Sequence, residues 1–475
     1  MTQSSTSRNG MAFVSLVSVF FFWGFVAASN DILIPVFKSA LQMEQWQSQM
    51  ISFAFYVAYT VGSLAYFGIS ALMKRDILNR IGYRNGLALG LVISALGTLL
   101  FIPASNSASF GLLISGLFIV GLGFSLQQIA ANPLAINMGD PSKGNMRLSL
   151  AGGINNVGTT IGPVIVAFAI FGGLPDSAAD MNLTAVQIPY LVLGAAFIIA
   201  ALFIRFSSVP DHIGDKQMPS GGFSQTLRYP QVWMGMIAIF VYVGVEVSTA
   251  SNLPEFMRQK LHVEEHQIAP YVSLFWASLM IGRWTSAAGA FDLPESTKNR
   301  LSILLPFVAF AIFALVNTIA GHEISQFYPY LFLVILLAVA DAISQGHPVR
   351  QLLLYSFLGI ACLLVGIFSS GMVSVFAFIA VGLFCSTLWP CIFTLGIAGL
   401  GEKTNTASSL LIMMIMGGGF VSLFQGWLAG DGLLGIQYSY FAGVVCFLYL
   451  AFYAWKVGAI HKKHHVLVET AEGDH

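Results

Sequence analysis

Apolar blocks, each about 20 residues long, recur along nearly the whole chain and are separated by short polar stretches. A helix of that length is about as long as the hydrocarbon core of a bilayer is thick. The blocks do not alternate polar and apolar residues, as the strands of a membrane barrel would. Of 475 residues 56% are hydrophobic and only 9% are charged. A soluble domain carries about 25% charged residues, so this chain cannot cover a water-facing surface of its size. The pattern predicts an all-α polytopic membrane protein. Net charge is zero, which gives nucleic acid no electrostatic hold.

Spans are expected at 11–36, 47–72, 82–104, 108–138, 147–172 and 187–207. A polar linker follows, and then 230–257, 267–291, 301–320, 327–345, 351–370, 372–398, 406–429 and 435–457. The domain reading is a six-helix bundle over 1–207, a linker over 208–229 and a second bundle over 230–475. Lys and Arg fall mainly in alternate loops, at Lys74, Arg75, Arg80, Arg84, Lys143, Arg147, Lys216, Arg228, Lys298, Arg300, Arg350 and Lys403. The positive-inside rule then puts those loops and both termini in the cytoplasm. Cys362, Cys385, Cys391 and Cys446 all fall within spans without CxxC spacing, so neither a disulfide nor a zinc site is expected. His461, His464 and His465 lie in a basic tail; a metal site and a solvated tail beside anionic lipid are both compatible with them.

The ionisable and amide residues inside spans carry the functional reading. Asp31 follows Asn30 in FFFWGFVAASNDILIP, about 20 residues into the first block. A carboxylate at the centre of a membrane helix costs roughly 2.5–3.5 kcal/mol on insertion scales, so such a residue usually faces a bundle interior. The plainer reading is a helix end at the membrane surface. Glu246, in IFVYVGVEVSTASNLP, is the second candidate carboxylate; it can exchange a proton, hold a sodium ion or simply pack. Gln127, Gln128 and Asn132 share one span, and Asn155 and Asn156 another. Amides donate and accept at once, which suits sugar hydroxyls, but they also join helices to one another. Trp276 and Trp389 can stack on the apolar face of a sugar or anchor packing. Arg283 can pair with a carboxylate, but it is expected to snorkel to the inner surface or make a helix-end contact, and Asp341 is expected to be interfacial.

The two halves echo each other: Ala28-Ser29-Asn30 recurs as Ala250-Ser251-Asn252, and Asn132-Pro133 has its counterpart in Trp389-Pro390. Each Pro is followed by a short charged loop and then by a glycine run, Gly152-Gly153 or Gly417-Gly418-Gly419. Interrupted segments at matching places in two halves point to a transporter built from repeats. The glycine runs would let helices approach and slide. Arg80, Arg84, Lys143 and Arg147 either hold an inner gate by charge pairs or set topology.

The stretches FFFWGFVAASNDILIP, LQQIAANPLA, RLSLAGGINNVGTTIGP, YVGVEVSTAS, LFWASLMIGR, LWPCIFTLGIAGLG and SSLLIMMIMGGGFVSLFQGWLA resemble the fucose:proton symporter family of the major facilitator superfamily, especially its glucose/galactose transporter branch. The resemblance implies a major facilitator fold, two six-helix bundles, with blocks beyond the usual twelve spans forming an inserted hairpin at about 301–345 that packs outside the bundle. It implies cation coupling at Asp31 and Glu246, and sugar binding at Gln128, Asn155, Trp276, Trp389 and Gln425; Asn30 and Asn132 join the substrate-binding set from the reading of the spans. The implied activity is uptake of a neutral hexose coupled to H⁺ or Na⁺ by alternating access, in a bacterial inner membrane, by a monomer with no cofactor and no enzymatic chemistry. Fucose, mannose and N-acetylglucosamine are alternative substrates; a drug antiporter and a non-transporting sensor are the remoter ones. Ser52 and Gly152 stand where the family often has Gln, and a Pro is usual near Ser422, which leaves the hexose open.

Overall fold

The structure is a computed structural model that describes residues 11–28, 45–73, 77–138, 144–171, 187–211, 222–287, 294–344, 346–430 and 432–463. Asn30 and Asp31 lie outside the described residues, as do Lys74, Arg75, Lys143 and Lys216. Among the described residues the only regular secondary structure is helical. In the first half the long helices are α1 (Met11–Ala28), α2 (Gln45–Leu72), α3 (Tyr83–Leu99), α4 (Phe110–Asn137), α5 (Gly144–Phe171) and α6 (Gln187–Phe206). In the second half they are α7 (Pro230–Leu261), α8 (Glu265–Ala287), α9 (Glu295–Ile319), α10 (Leu331–Ser344), α11 (Pro348–Phe368), α12 (Met372–Cys385), α13 (Leu388–Ile397), α14 (Thr404–Met413), α15 (Gly417–Leu428) and α16 (Phe441–Lys463).

Twelve spans among the described residues are long and apolar enough to cross a membrane; α12 with α13, and α14 with α15, each make one of them. The helices α5 and α8, 28 and 23 residues long, occupy the fifth and eighth blocks of the sequence pattern. Local signals set the ends. Ser109 caps α4 by accepting from the Leu112 amide at 3.4 Å. Pro230 and Pro348 open α7 and α11, where the missing N–H costs nothing. His262, with φ 56°, closes α7 in the left-handed region.

Within the first half α4 packs on α2 and α3, and α3 on α6. Within the second, α7 packs on α15 and α16, and α11 on α12 and α16. Two seams join the halves: α5 against α8, and α2 against α14 and α15. Both seams are lined by the glycine runs. A Cβ on Gly153 would lie 2.7 Å from the Trp284 ring, and one on Gly419 would lie 3.1 Å from the Phe53 backbone. Gly417 serves a contact inside the second half instead, since its Cβ would lie 2.0 Å from the Phe240 carbonyl oxygen. Small residues at these places let backbones approach, the usual means of packing helices in lipid.

α9 rests on α8, and α10 on α11. Their outward faces, with Ile303, Leu304, Phe307, Leu315, Phe332, Ile335 and Ile343, are exposed. Polar contacts fasten the pair inward: Asn317 Nδ2 donates to Ser273 Oγ at 3.2 Å, the hydroxyls of Tyr330 and Ser278 lie 2.6 Å apart, and Gln351 Nε2 donates to Asp341 at 3.0 Å. Asp341 is thus tied between α10 and α11, held by a neighbouring helix as well as by any interface.

Candidate functional site

In the first half the amides divide into two kinds. Gln127 is fully buried and satisfied on both sides. Its Oε1 accepts from Trp23 Nε1 at 2.5 Å, and its Nε2 donates to Ser94 Oγ at 3.0 Å. This chain staples α1, α4 and α3 together and leaves no group for a ligand. Gln128, one residue on, faces another way. It is half-buried, and its Nε2 donates to the Tyr59 hydroxyl at 3.2 Å. Asn132, one turn further along α4, is buried. Asn155 donates Nδ2 to the Phe20 carbonyl at 2.8 Å, so it joins α5 to α1. The approach there is close: a Cβ on Gly24 would lie 1.9 Å from the Asn155 carbonyl oxygen.

In the second half Glu246 sits midway along α7, half-buried, and accepts a short hydrogen bond from the Tyr242 hydroxyl one turn earlier. The Trp389 ring lies 6.3 Å from the Tyr242 ring and stacks on Phe393 at 6.0 Å. Trp389, Tyr242 and Glu246 therefore form one cluster. Trp389 stands just past a break between α12 and α13 at Ser386 and Thr387, where Pro390 prevents a continuous ladder. A second break, a single 3-10 turn over Met414–Met416, separates α14 from α15. Discontinuous helices of this sort are where transporters place their sites. Gln425, on α15, is buried and donates Nε2 to Ser439 Oγ at 3.4 Å.

Several buried polar atoms of the second half have no hydrogen-bond partner among the described residues, including Thr387 Oγ1, Ser422 Oγ, Gln425 Oε1, Trp276 Nε1, and Ser248 Oγ and Thr249 Oγ1 on α7. Buried polar groups are normally paired, so these orphans on α7, α8 and α15 and at the α12–α13 break suit a bound hydroxylated molecule or water. Trp276 makes an edge contact with Phe275 at 5.5 Å, and the structure gives no ring contact between it and Trp389.

Arg283 makes a helix-end contact, the alternative to snorkelling, and also reaches the other half. Its Nε donates to the Ser386 carbonyl at 2.9 Å and its Nη1 to the Gly152 carbonyl at 3.1 Å. The guanidinium thus reaches from α8 to the α12–α13 break and across to α5 in the other half. It turns inward because two carbonyls, freed by a helix break and bared by a glycine, accept its fork. Of the basic residues expected at an inner gate, Arg84 and Arg147 each have contacts on the first-half side of the molecule. Arg84 is ion-paired with Asp211, at the start of the linker, and donates Nη1 to the Ser207 carbonyl at 2.9 Å. Arg147 Nε donates to the Ala135 carbonyl at 3.0 Å in the same half, and Arg80 is exposed.

Tyr242 and Tyr59 were missed by sequence reasoning. Tyr242 was findable, since it precedes Glu246 by four residues and so shares its face. Tyr59 reaches Gln128 from another helix, and no spacing rule connects them.

Three comparisons bear on this architecture. The family model described as Major Facilitator Superfamily matches residues 11–347. The chain is 30% identical over 456 residues to the glucose/galactose transporter of Brucella abortus biovar 1 (strain 9-941), covering 95% of each. It is 28% identical over 466 residues to the L-fucose-proton symporter of Escherichia coli (strain K12), covering 93% of this chain and 92% of that one. Among solved structures, FucP in the outward conformation superposes with a TM-score of 0.69 at 26% identity, covering 95% of this chain and 99% of that one.

Proposed function

The chain belongs to the major facilitator superfamily, whose members are transporters and not enzymes, and from that premise we propose that it takes up a neutral hexose by symport with a cation. The observation that carries the reading is the end-to-end similarity to glucose/galactose transporters. Proton coupling is favoured over Na⁺ because the L-fucose symporter relatives are proton-driven by name. Glucose or galactose is the first choice of substrate; fucose, mannose and N-acetylglucosamine follow.

In this reading the cation is a proton carried by the carboxylates Asp31 and Glu246. Gln128, Asn132, Asn155, Asn30 and Gln425 offer amides to sugar hydroxyls, and Trp276 and Trp389 offer ring faces to its apolar side. The orphan polar atoms on α7, α8 and α15 and at the α12–α13 break support a ligand on the second half of the molecule. Tyr242 orients Glu246 beside Trp389, which brings the proton site and a sugar-stacking ring into one cluster. The membrane is a bacterial inner membrane with both termini cytoplasmic, following the Lys and Arg distribution. The helices α9 and α10 are an inserted hairpin outside the two bundles, and the protein works as a monomer.

The test is uptake of labelled glucose, galactose, fucose, mannose and N-acetylglucosamine into proteoliposomes under imposed pH or Na⁺ gradients. A pH gradient should drive accumulation of at least one of the first two. Accumulation of none of the five under either gradient overturns the reading.

A further inference from the structure

Asp341 does more than fasten α10 to its neighbour. Its Oδ1 accepts from two side chains one turn apart on α11, Gln351 Nε2 at 3.0 Å and the Tyr355 hydroxyl at 3.5 Å. Each of these meets the interrupted span α12–α13, and they do so on opposite sides of its break. The Tyr355 ring packs edge-on against Phe384, just before Ser386, with ring centroids 5.7 Å apart. Gln351 Oε1 accepts from Cys391 Sγ at 3.3 Å, one turn after Thr387. Gln351, Tyr355, Phe384 and Cys391 are all buried. Cys391 follows Trp389 by two residues, which places it about 200° further round the helix. The chain therefore grips the back of α13, while Trp389 meets Tyr242 in front. Further bonds of the hairpin to α8, at Ser273 and Ser278, fall either side of Trp276 in the sequence.

We propose that Asp341, Gln351 and Cys391 are positioning residues for sugar binding, a brace that runs from the hairpin through α11 and fixes α13, and with it the Trp389 ring, beside Tyr242 and Glu246. The inference rests on the reading of Trp389 as a sugar-stacking ring. Where the backbone ladder is broken, as at Ser386 and Thr387, the angle between the two helical pieces is left to tertiary contacts, and such places act as hinges. The brace holds this hinge from both sides, through Tyr355 before it and Gln351 after it. Gln351 can join the hairpin to α13 because an amide donates and accepts at once. Asp341 sets the sense of that amide: with Nε2 turned to the carboxylate, Oε1 is left facing the Cys391 thiol. An ionisable residue in an otherwise apolar helix is costly, and this use accounts for its place in α10. Without the brace α13 is free to tilt, and the ring stands in register for only a fraction of the time. Apparent affinity falls by that fraction, whereas the steps after binding are untouched.

The experiment uses full-length protein in liposomes and reads KM and maximal rate of uptake for labelled galactose, or for whichever of the five sugars the parent accumulates. Gln351→Leu and Asp341→Leu should each raise KM about tenfold, as the competent population falls to about a tenth, with the maximal rate within about twofold of the parent. Asp341→Asn keeps the accepting oxygen and Cys391→Ser keeps the donor, so both should retain the parental KM. Cys391→Ala should raise it in the direction of Gln351→Leu. In a Trp389→Leu background, Gln351→Leu should add nothing further, because both changes act through the same ring. Should Gln351→Leu fail to fold, Cys391→Ala against Cys391→Ser makes the same comparison in both backgrounds. If the Gln351 or Cys391 change adds its full factor to Trp389→Leu, or if Gln351→Leu and Asp341→Leu keep the parental KM, the brace is overturned and the role of Trp389 stands. Loss of accumulation in Asp341→Asn would mark a charge carrier and overturns the brace as well. If Trp389→Leu itself keeps the parental KM, the sugar-stacking reading falls and the brace falls with it.

Discussion

At the scale of single residues, adjacent amides on α4 have opposite fates. Gln127 is closed off by Trp23 and Ser94, whereas Gln128 spends one donor on Tyr59. Gln127→Ala strands two buried partners, so it should lower the thermal midpoint in detergent by an amount equivalent to about 1 kcal/mol, with KM for sugar changed little. Gln128→Ala should do the reverse, raising KM about tenfold for the loss of one or two hydroxyl contacts while leaving the midpoint in place. Swapped outcomes would reverse the assignment. In the sequence the two glutamines were indistinguishable, because the difference lies in which neighbouring helix each meets. Glu246 was legible as a carboxylate in an apolar run. For Arg283 a helix-end contact was legible but its partners were not, since they are backbone carbonyls, one at Gly152 and the other at the break at Ser386, that no side-chain pattern reveals.

At the scale of helices, the glycine runs were legible as contact points and the seams they line were not. Gly417 and Gly426 sit on the same helix with opposite surroundings: the Phe240 backbone blocks a Cβ on the first, and no described atom lies within 4 Å of one on the second. Gly417→Ala should therefore cost about 1–3 kcal/mol of stability through overpacking, read as a lowered midpoint, and Gly426→Ala should be neutral. The turn between α10 and α11 holds a pH-sensitive group. His347 is held below its ordinary range by burial, with Arg350 and Lys462 adding to the effect, and its Nδ1 has no partner among the described residues. A folded state that resists protonation binds fewer protons than the unfolded chain, so its stability is present above the ordinary histidine range and is lost as pH falls through the folded value. The thermal midpoint should drop on acidification below about pH 6.5, and His347→Asn should flatten that part of the profile. An unchanged profile in the variant would remove His347 as the cause.

At the scale of the whole molecule, block length and the near absence of charge were enough to read a multi-span helical protein. The family followed from motifs spread over both halves. The placement of the hairpin α9–α10 was expected outside the bundle, and its exposed apolar face fits that reading. Its polar fastening through Asn317, Tyr330 and Asp341 was invisible, because those side chains find partners on α8 and α11. A chain with 295–344 replaced by a short polar loop should still transport, with a lowered midpoint; loss of transport in a folded protein would show that the hairpin is part of the working bundle. Underlying all of these is the claim that sugar and proton cross together on carboxylates within the membrane. It is tested most directly by recording external pH as galactose is added to lightly buffered, de-energised vesicles. The account predicts sugar-induced alkalinisation for the parent and none for Asp31→Asn or Glu246→Gln. Alkalinisation of parental size in both variants would contradict it.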